Sequence, residues 1–144
     1  ALTQKTPMFG ACFGHQIIAR ALGARVGYNP QGWVFGRVKT EFLRTSQHTA
    51  LYAAHKEQVL DLPAGAEIVA RTDGCEIAGF SIGAHVLTTQ YHPEMTGNFM
   101  SALITELADT LGWDVADRAR GTMAQNTDMD ALAEWIAQFY EGAL

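Results

Sequence analysis

The stretch Met8-Phe9-Gly10-Ala11-Cys12-Phe13-Gly14-His15-Gln16 decides how this chain is read. Two glycines bracket a cysteine, two residues to each side. Ahead of the cysteine, Pro7 to Ala11 reads as a short buried strand. Behind it, Phe13 to Leu22 reads as a helix, with Ile17, Ile18, Ala21 and Leu22 on one face and Gly23 as its stop. A strand that gives way to a helix at one residue forces that residue into a tight, strained turn. Bulky side chains at the bracketing positions would collide, so glycine is expected at both. The turn lifts the Cys12 sulfur above the sheet edge. It also sets sulfur at a helix N-terminus, where the dipole and free N–H groups favour thiolate. The N–H of Phe13 then points to where an oxyanion would form. The bland alternative is that Cys12 is a small buried hydrophobe, as free cysteines often are. Cys75 lies in a strand-like segment without such a setting and reads as packing.

Working outward, strand, tight turn and helix imply an α/β protein with parallel strands. Ala24 to Tyr28 is a candidate strand. Val34, Gly36, Val38 and Thr40 alternate with Phe35, Arg37, Lys39 and Glu41, the pattern of a half-buried strand. Leu51 to His55, Glu67 to Arg71, Glu76 to Ser81 and Val86 to Tyr91 follow as short strands. Pro63-Ala64-Gly65, Asp73-Gly74 and Gly83 mark turns between them. So many short strands suggest an antiparallel ribbon added to the main sheet. Phe99, Met100, Leu103, Ile104, Leu107 and Leu111 then recur at helical spacing, ended by Gly112. A last helix starts at about Asp128, with Met129, Leu132, Trp135, Ile136 and Phe139 on one stripe and Thr127 or Asp128 as N-cap. These stripes read as core-facing.

A cysteine nucleophile needs a proton shuttle, and the shuttle needs an orienting partner. His92-Pro93-Glu94 follows directly on the strand Val86 to Tyr91. Residues just past the C-termini of parallel strands converge on one edge of the sheet. His92 can therefore meet Cys12 across 80 residues of sequence. Pro93 stiffens the turn, and Glu94 is placed to accept a hydrogen bond from the ring. His15, His48, His55 and His85 lack such a setting and read as surface or internally satisfied histidines.

Composition narrows the field. The chain has 144 residues, is 48% hydrophobic and 17% charged, and so has the material for one core. Its formal net charge is -5, and its Lys and Arg are scattered singly. That balance argues against nucleic-acid and anionic-membrane partners. No run reaches transmembrane length, and the N-terminus lacks the basic and apolar regions of a signal peptide. Two cysteines make no disulfide framework, so a reducing cytoplasm is expected. Neither CxxC nor HExxH occurs, so no metal site is expected. The first residue is Ala, which hints at processing or at a chain that begins inside something larger.

The motif Gly10-x-Cys12-x-Gly14-x-Gln16, followed by His92-x-Glu94, resembles the class I (triad) glutamine amidotransferases. Ala54-His55-Lys56-Glu57-Gln58-Val59 through Leu62-Pro63-Ala64-Gly65, and Thr89-Gln90-Tyr91-His92-Pro93-Glu94, resemble the same family, in the manner of its stand-alone GMP synthase-like members. The likeness is clear over residues 7–95 and weak in the C-terminal helices. It implies a flavodoxin-like, doubly wound, mostly parallel sheet with an added antiparallel ribbon. It also implies a γ-glutamyl thioester on Cys12, with His92 as base and acid and Glu94 as its orienting carboxylate. Phe13, Gln16 and His55 would border the substrate. Gln16 matches a residue that contacts glutamine, and His55 falls in a loop beside the substrate. No cofactor is needed.

Cys12 comes almost at once, whereas the family's elbow follows roughly a hundred residues. The resemblance therefore implies that residues 1–144 are the C-terminal two-thirds of such a domain. The expectation is that it folds with the missing part present, or by associating with another copy. No synthetase domain is seen, so an ammonia acceptor would be a separate polypeptide. Three rival readings stay open: hydrolysis or transfer on another γ-glutamyl peptide or amine, a non-catalytic binding or regulatory module on the same scaffold, and a redox-sensing cysteine domain.

Overall fold

A computed structural model describes residues 3–44 and 47–142. In chain order the elements are β1 (Met8–Ala11), α1 (Phe13–Ala21), β2 (Val26–Tyr28), β3 (Val34–Phe42), β4 (Gln47–His55), β5 (Glu57–Val59), β6 (Glu67–Thr72), β7 (Cys75–Ile82) and β8 (Val86–Thr89), then α2 (Gly97–Glu106), α3 (Ala108–Leu111), α4 (Trp113–Thr122) and α5 (Met129–Tyr140). Six strands form one sheet in the order β1-β8-β7-β6-β3-β4, and β2 pairs with β5 in a second, two-stranded sheet.

The fold is α/β, with a mixed sheet and a small antiparallel one. The parallel share is narrower than the sequence suggests. Among the described residues, β1 and β8 run parallel, and the pairings through β7, β6, β3 and β4 are antiparallel. The strands expected as an added ribbon thus supply most of the sheet.

Helices pack on both faces of the sheet, and β8 is buried along its whole length. On one face α5 packs Leu132 against Phe42, Leu51, Ala53 and Tyr91, with Trp135 set edge-on to Phe42 at 5.0 Å between ring centroids. On the other, α2 and α4 bring Met100, Ile104, Ala116 and Ala119 against Tyr52 and Phe35. The periodicity of residues 99–111 predicts one helix; the structure breaks it at Leu107 into α2 and α3, and Phe99 is 53% exposed. Helix α4 was not foreseen. Its buried residues are alanines, Ala116 and Ala119, and they carry no stripe of large apolar side chains. Small size is what the site requires. A Cβ on Gly36 of β3 would lie 3.0 Å from the Cα of Ala119, so helix and strand approach to backbone distance.

The face of α1 corrects the sequence reading. His15, Gln16 and Ala19 are buried, while Ile17 is 46% exposed and Ala21 is exposed. Polar side chains occupy the inner face because each has a fixed partner there. His15 sets Nδ1 2.8 Å from Thr88 Oγ1 and Nε2 3.1 Å from the carbonyl of Ile77, which clamps the helix to β8 and β7. Burial pushes the pKa of His15 down to about 4, so the clamp is a neutral imidazole.

Candidate active site

The register of one strand pair builds the site. Ala11 of β1 lies opposite Thr89 of β8, and the ladder runs one step further, with the N–H of Cys12 donating to the carbonyl of Thr89 at 2.8 Å. Beyond this last rung the two chains diverge. One enters α1 at Cys12, and the other runs through Gln90 and Tyr91 to His92. The same edge therefore receives a sulfur and an imidazole, as parallel strands require.

Cys12 is the N-cap of α1 at φ 46 and ψ -104, outside the regions that L-residues favour. Such a conformation costs about 1–3 kcal/mol and persists where the surroundings over-determine it. Gly10 is part of what allows it: a Cβ there would sit 2.6 Å from Ile18 Cδ1 and 2.8 Å from the backbone of Gly14. Gly14 does not fit the steric expectation, because a Cβ on it meets nothing within 4 Å. The crowding of the elbow lies beneath it, toward β1, and the space above Gly14 is open. In the first turn of α1 the N–H groups of Phe13 and Gly14 lack intrahelical acceptors, as at any helix start. The Phe13 ring is 71% exposed, so what Phe13 can offer at the elbow is its N–H.

His92 sets Nδ1 2.8 Å from Oε1 of Glu94. That bond leaves Nε2 for the sulfur side. Its pKa is raised to about 9, most of all by Cys12 as a hydrogen-bonding neighbour; partial burial opposes this and the Glu94 carboxylate adds to it. Glu94 itself is pushed up by partial burial, but its own backbone N–H and the His92 ring outweigh this and hold the carboxyl below its ordinary range. Cys12 is thus brought to His92 across 80 residues of sequence, with Glu94 on the far side of the ring.

The three remaining expected residues divide. Phe13 and Gln16 lie at the elbow. Gln16 is buried and spends its amide nitrogen inward, donating to the carbonyl of Glu57 at 2.8 Å and to Gln90 Oε1 at 3.3 Å. What it could offer a ligand is its oxygen, an acceptor. His55 is not in a loop: it ends β4 and is 4% exposed. Its Nδ1 lies 3.1 Å from the carbonyl of Glu57, and burial lowers its pKa to about 4, aided by the charge of His92. His55 Nε2 is buried with no partner among the described residues.

One residue escaped the sequence reading. Gln90, with no exposed surface, directs its Nε2 at Cys12 Sγ, 3.5 Å away. The one signal was an amide side chain two positions before His92, at the end of a strand otherwise fit for burial. Cys75, in contrast, behaves as expected. It is buried, and desolvation pushes its thiol up to about 12. Among the described residues no group of side chains could hold a metal ion, and no helix is long and apolar enough to cross a membrane.

Comparison with known proteins bears on the family and the fold. Residues 1–107 match the family model for glutamine amidotransferase class-I. A Saccharomyces cerevisiae protein named as a glutamine amidotransferase is 37% identical over 119 residues, which cover 76% of this chain and 47% of that one. Gamma-glutamyl peptidase 3 of Arabidopsis thaliana is 28% identical, over 83% of this chain and 54% of its own length. The crystal structure of a glutamine amidotransferase from Thermotoga maritima superposes with a TM-score of 0.70 at 23% identity, covering 99% of this chain and 62% of that one, and so shares the fold. The chain spans about half the length of the curated relatives it matches. With the family model covering most of its residues, the chain belongs to the class I glutamine amidotransferases.

Proposed function

We propose that Cys12 is the nucleophile of a glutaminase centre that releases ammonia from glutamine. The observation that carries this reading is the order Cys12, His92, Glu94 at one sheet edge, with His92 bound to Glu94 at 2.8 Å. With His92 already holding the proton, sulfur attacks the side-chain amide carbon. The oxyanion that forms faces the N–H of Phe13. When the tetrahedral centre collapses, the C–N bond breaks, the proton on His92 goes to the leaving nitrogen, and ammonia departs. A γ-glutamyl thioester remains on Cys12. Water, deprotonated by His92, then releases glutamate and leaves Cys12 and a protonated His92 as they began. A raised proton affinity suits His92 to hold and deliver that proton. Gln16 Oε1, its nitrogen already committed, fits as an acceptor for the substrate's ammonium group. The ammonia would pass to a separate synthetase. The likeness to a glutamine-hydrolyzing GMP synthase component of Methanocaldococcus jannaschii, 31% identical over 66% of this chain, supports such a partner. Two free cysteines suit a reducing cytoplasm.

The similarity to a γ-glutamyl peptidase favours a second reading, in which the leaving group is the amine of a γ-glutamyl peptide or amine. The attacking groups are the same; the departing nitrogen differs. An assay of ammonia release from glutamine, run beside amine release from γ-glutamyl dipeptides, separates the two. Activity on glutamine that disappears in Cys12→Ala supports the proposal, and turnover of the dipeptides alone assigns the second reading. If neither substrate is turned over and a glutamine-like electrophile leaves Cys12 unmodified, the catalytic account fails and a binding module remains.

A further inference from the structure

We propose that Gln90 is a positioning residue for the Cys12 sulfur, its N–H turned toward Sγ by a relay of amides that begins at the backbone carbonyl of Glu57. The proposal rests on the reading of Cys12 as nucleophile.

The direction of the relay follows from hydrogen-bond chemistry. A carbonyl only accepts, so the end of the Gln16 amide that lies 2.8 Å from the Glu57 carbonyl is its nitrogen. The same nitrogen lies 3.3 Å from the side chain of Gln90, so the end of Gln90 that it meets is the oxygen. The nitrogen of Gln90 is thereby turned the other way, to 3.5 Å from Sγ. Flipping either amide would set N–H against N–H or oxygen against oxygen. His55 Nδ1 lies 3.1 Å from the same carbonyl, which fills its second lone pair and makes Glu57 the fixed origin. Gln90 has no exposed surface, so water cannot take its place. Its backbone is pinned too, with its N–H bonded to the carbonyl of Ala78 at 2.8 Å. Sulfur thus has an imidazole on one side and an oriented donor on the other. A donor aimed at sulfur favours the thiolate and limits where it swings. Of the relay, Gln16 alone is assigned to the substrate, through its free oxygen; Gln90 spends its oxygen on Gln16 and its nitrogen on sulfur. Gln90 acts through Cys12 alone.

The test is the pH dependence of Cys12 alkylation by iodoacetamide, in which sulfur displaces iodide, with the site of modification read by mass spectrometry. Cys75, buried and held up to about 12, is silent in the neutral range. Gln90→Glu keeps the length of the side chain and an oxygen for Gln16, and replaces the donor by an oxygen that repels thiolate. We expect alkylation about tenfold slower at neutral pH and recovering toward the wild-type rate in alkali. Turnover should fall while KM for the γ-glutamyl substrate holds. Gln90→Met, uncharged, should shift the profile in the same direction by less and serves if the carboxylate prevents folding. Profiles that superimpose on wild type in folded variants overturn the proposal. If the wild type turns over no γ-glutamyl substrate yet its alkylation profile moves in Gln90→Glu, the functional reading fails and the role of Gln90 stands. A wild-type Cys12 inert to alkylation at every pH sinks both.

Discussion

The backbone N–H of Cys12 donates to the carbonyl of Thr89 at 2.8 Å, one rung beyond the last paired residues of β1 and β8. The bond ties the two chains at the point where they part. Everything the site needs lies within a few residues of it: Cys12 on one side, and Gln90 and His92 on the other. The separation of sulfur from imidazole is therefore set by main-chain pairing, which is stiff, rather than by long side chains. Thr88, one residue earlier, holds His15 and so fixes the helix that carries Cys12. One short strand thus locates both halves of the centre.

That arrangement predicts which neighbour governs the charge of His92. Its proton affinity is raised most by Cys12; Glu94 bonds the ring directly at 2.8 Å, but solvent screens its charge because its side chain is 67% exposed. An NMR titration of the His92 ring should show a midpoint near 9 in the wild type. Cys12→Ala should bring it well back toward 6.5, and Glu94→Gln should lower it by less. The reverse order, with Glu94→Gln producing the larger fall, would contradict the assignment of the sulfur as the principal partner.

Stability should depend on pH in two opposed ways. Burial holds His15 and His55 near 4 in the folded state, against an unfolded value of 6.5. Between these values the unfolded chain binds more protons, so their contribution is present above 6.5 and lost as pH falls toward 4. Each can give a slope of up to about 1.4 kcal/mol per pH unit. His92 has the opposite sign. Its contribution is present below 6.5 and fades as pH rises through about 9. Denaturant unfolding across this range should therefore show a maximum near neutrality. His15→Gln should flatten the acid limb, and His92→Asn the alkaline one. An acid limb unchanged in His15→Gln would mean that His15 is charged in the folded protein.

The sequence made the elbow and its distant histidine legible because both are written in residue type and order: glycines around a cysteine, and a carboxylate two places after a histidine. Most strands were legible from alternation and turn residues. What stayed hidden depends on contact across the chain. The inner face of α1 looked like Ile17 and Ala21 because apolar periodicity cannot know that His15 and Gln16 have partners on β7, β8 and β5. Helix α4 stayed hidden because alanine against glycine leaves no hydrophobic pattern. The carbonyl of Glu57, origin of the amide relay, has no signature at all, since every residue has one.

The two elbow glycines should separate on substitution. In Gly10→Ala the new methyl meets backbone of Gly14 at 2.8–2.9 Å, and backbone cannot yield cheaply. The expected loss is about 1–3 kcal/mol, by analogy with overpacked cores, together with displacement of Cys12. Gly14→Ala meets nothing within 4 Å, and alanine favours a helix over glycine by about 1 kcal/mol. It should fold at least as stably as wild type. Thermal unfolding of the pair decides this, and equal destabilisation would show that both positions are sterically closed.

Asp128 carries the last prediction, because it is an N-cap that does not cap. It precedes α5, yet its side chain accepts no hydrogen bond from the helix. Its Oδ2 accepts instead from the N–H of Ala50 at 2.7 Å, while its own N–H donates to the carbonyl of Ala50 at 2.7 Å. Asp128 thus docks α5 onto β4, the strand at the end of the sheet opposite β1. Removing the carboxylate leaves a partly buried N–H unpaired, at about 1–3 kcal/mol. Asp128→Ala should therefore destabilise by about that amount, and Asp128→Asn, which keeps an acceptor, by less. Asp128→Ser would repair a helix cap but is too short to span to β4. If Ser restores full stability, capping governs the position; if Asn restores more than Ser, the tie to Ala50 does. Denaturant midpoints for the three variants make the comparison.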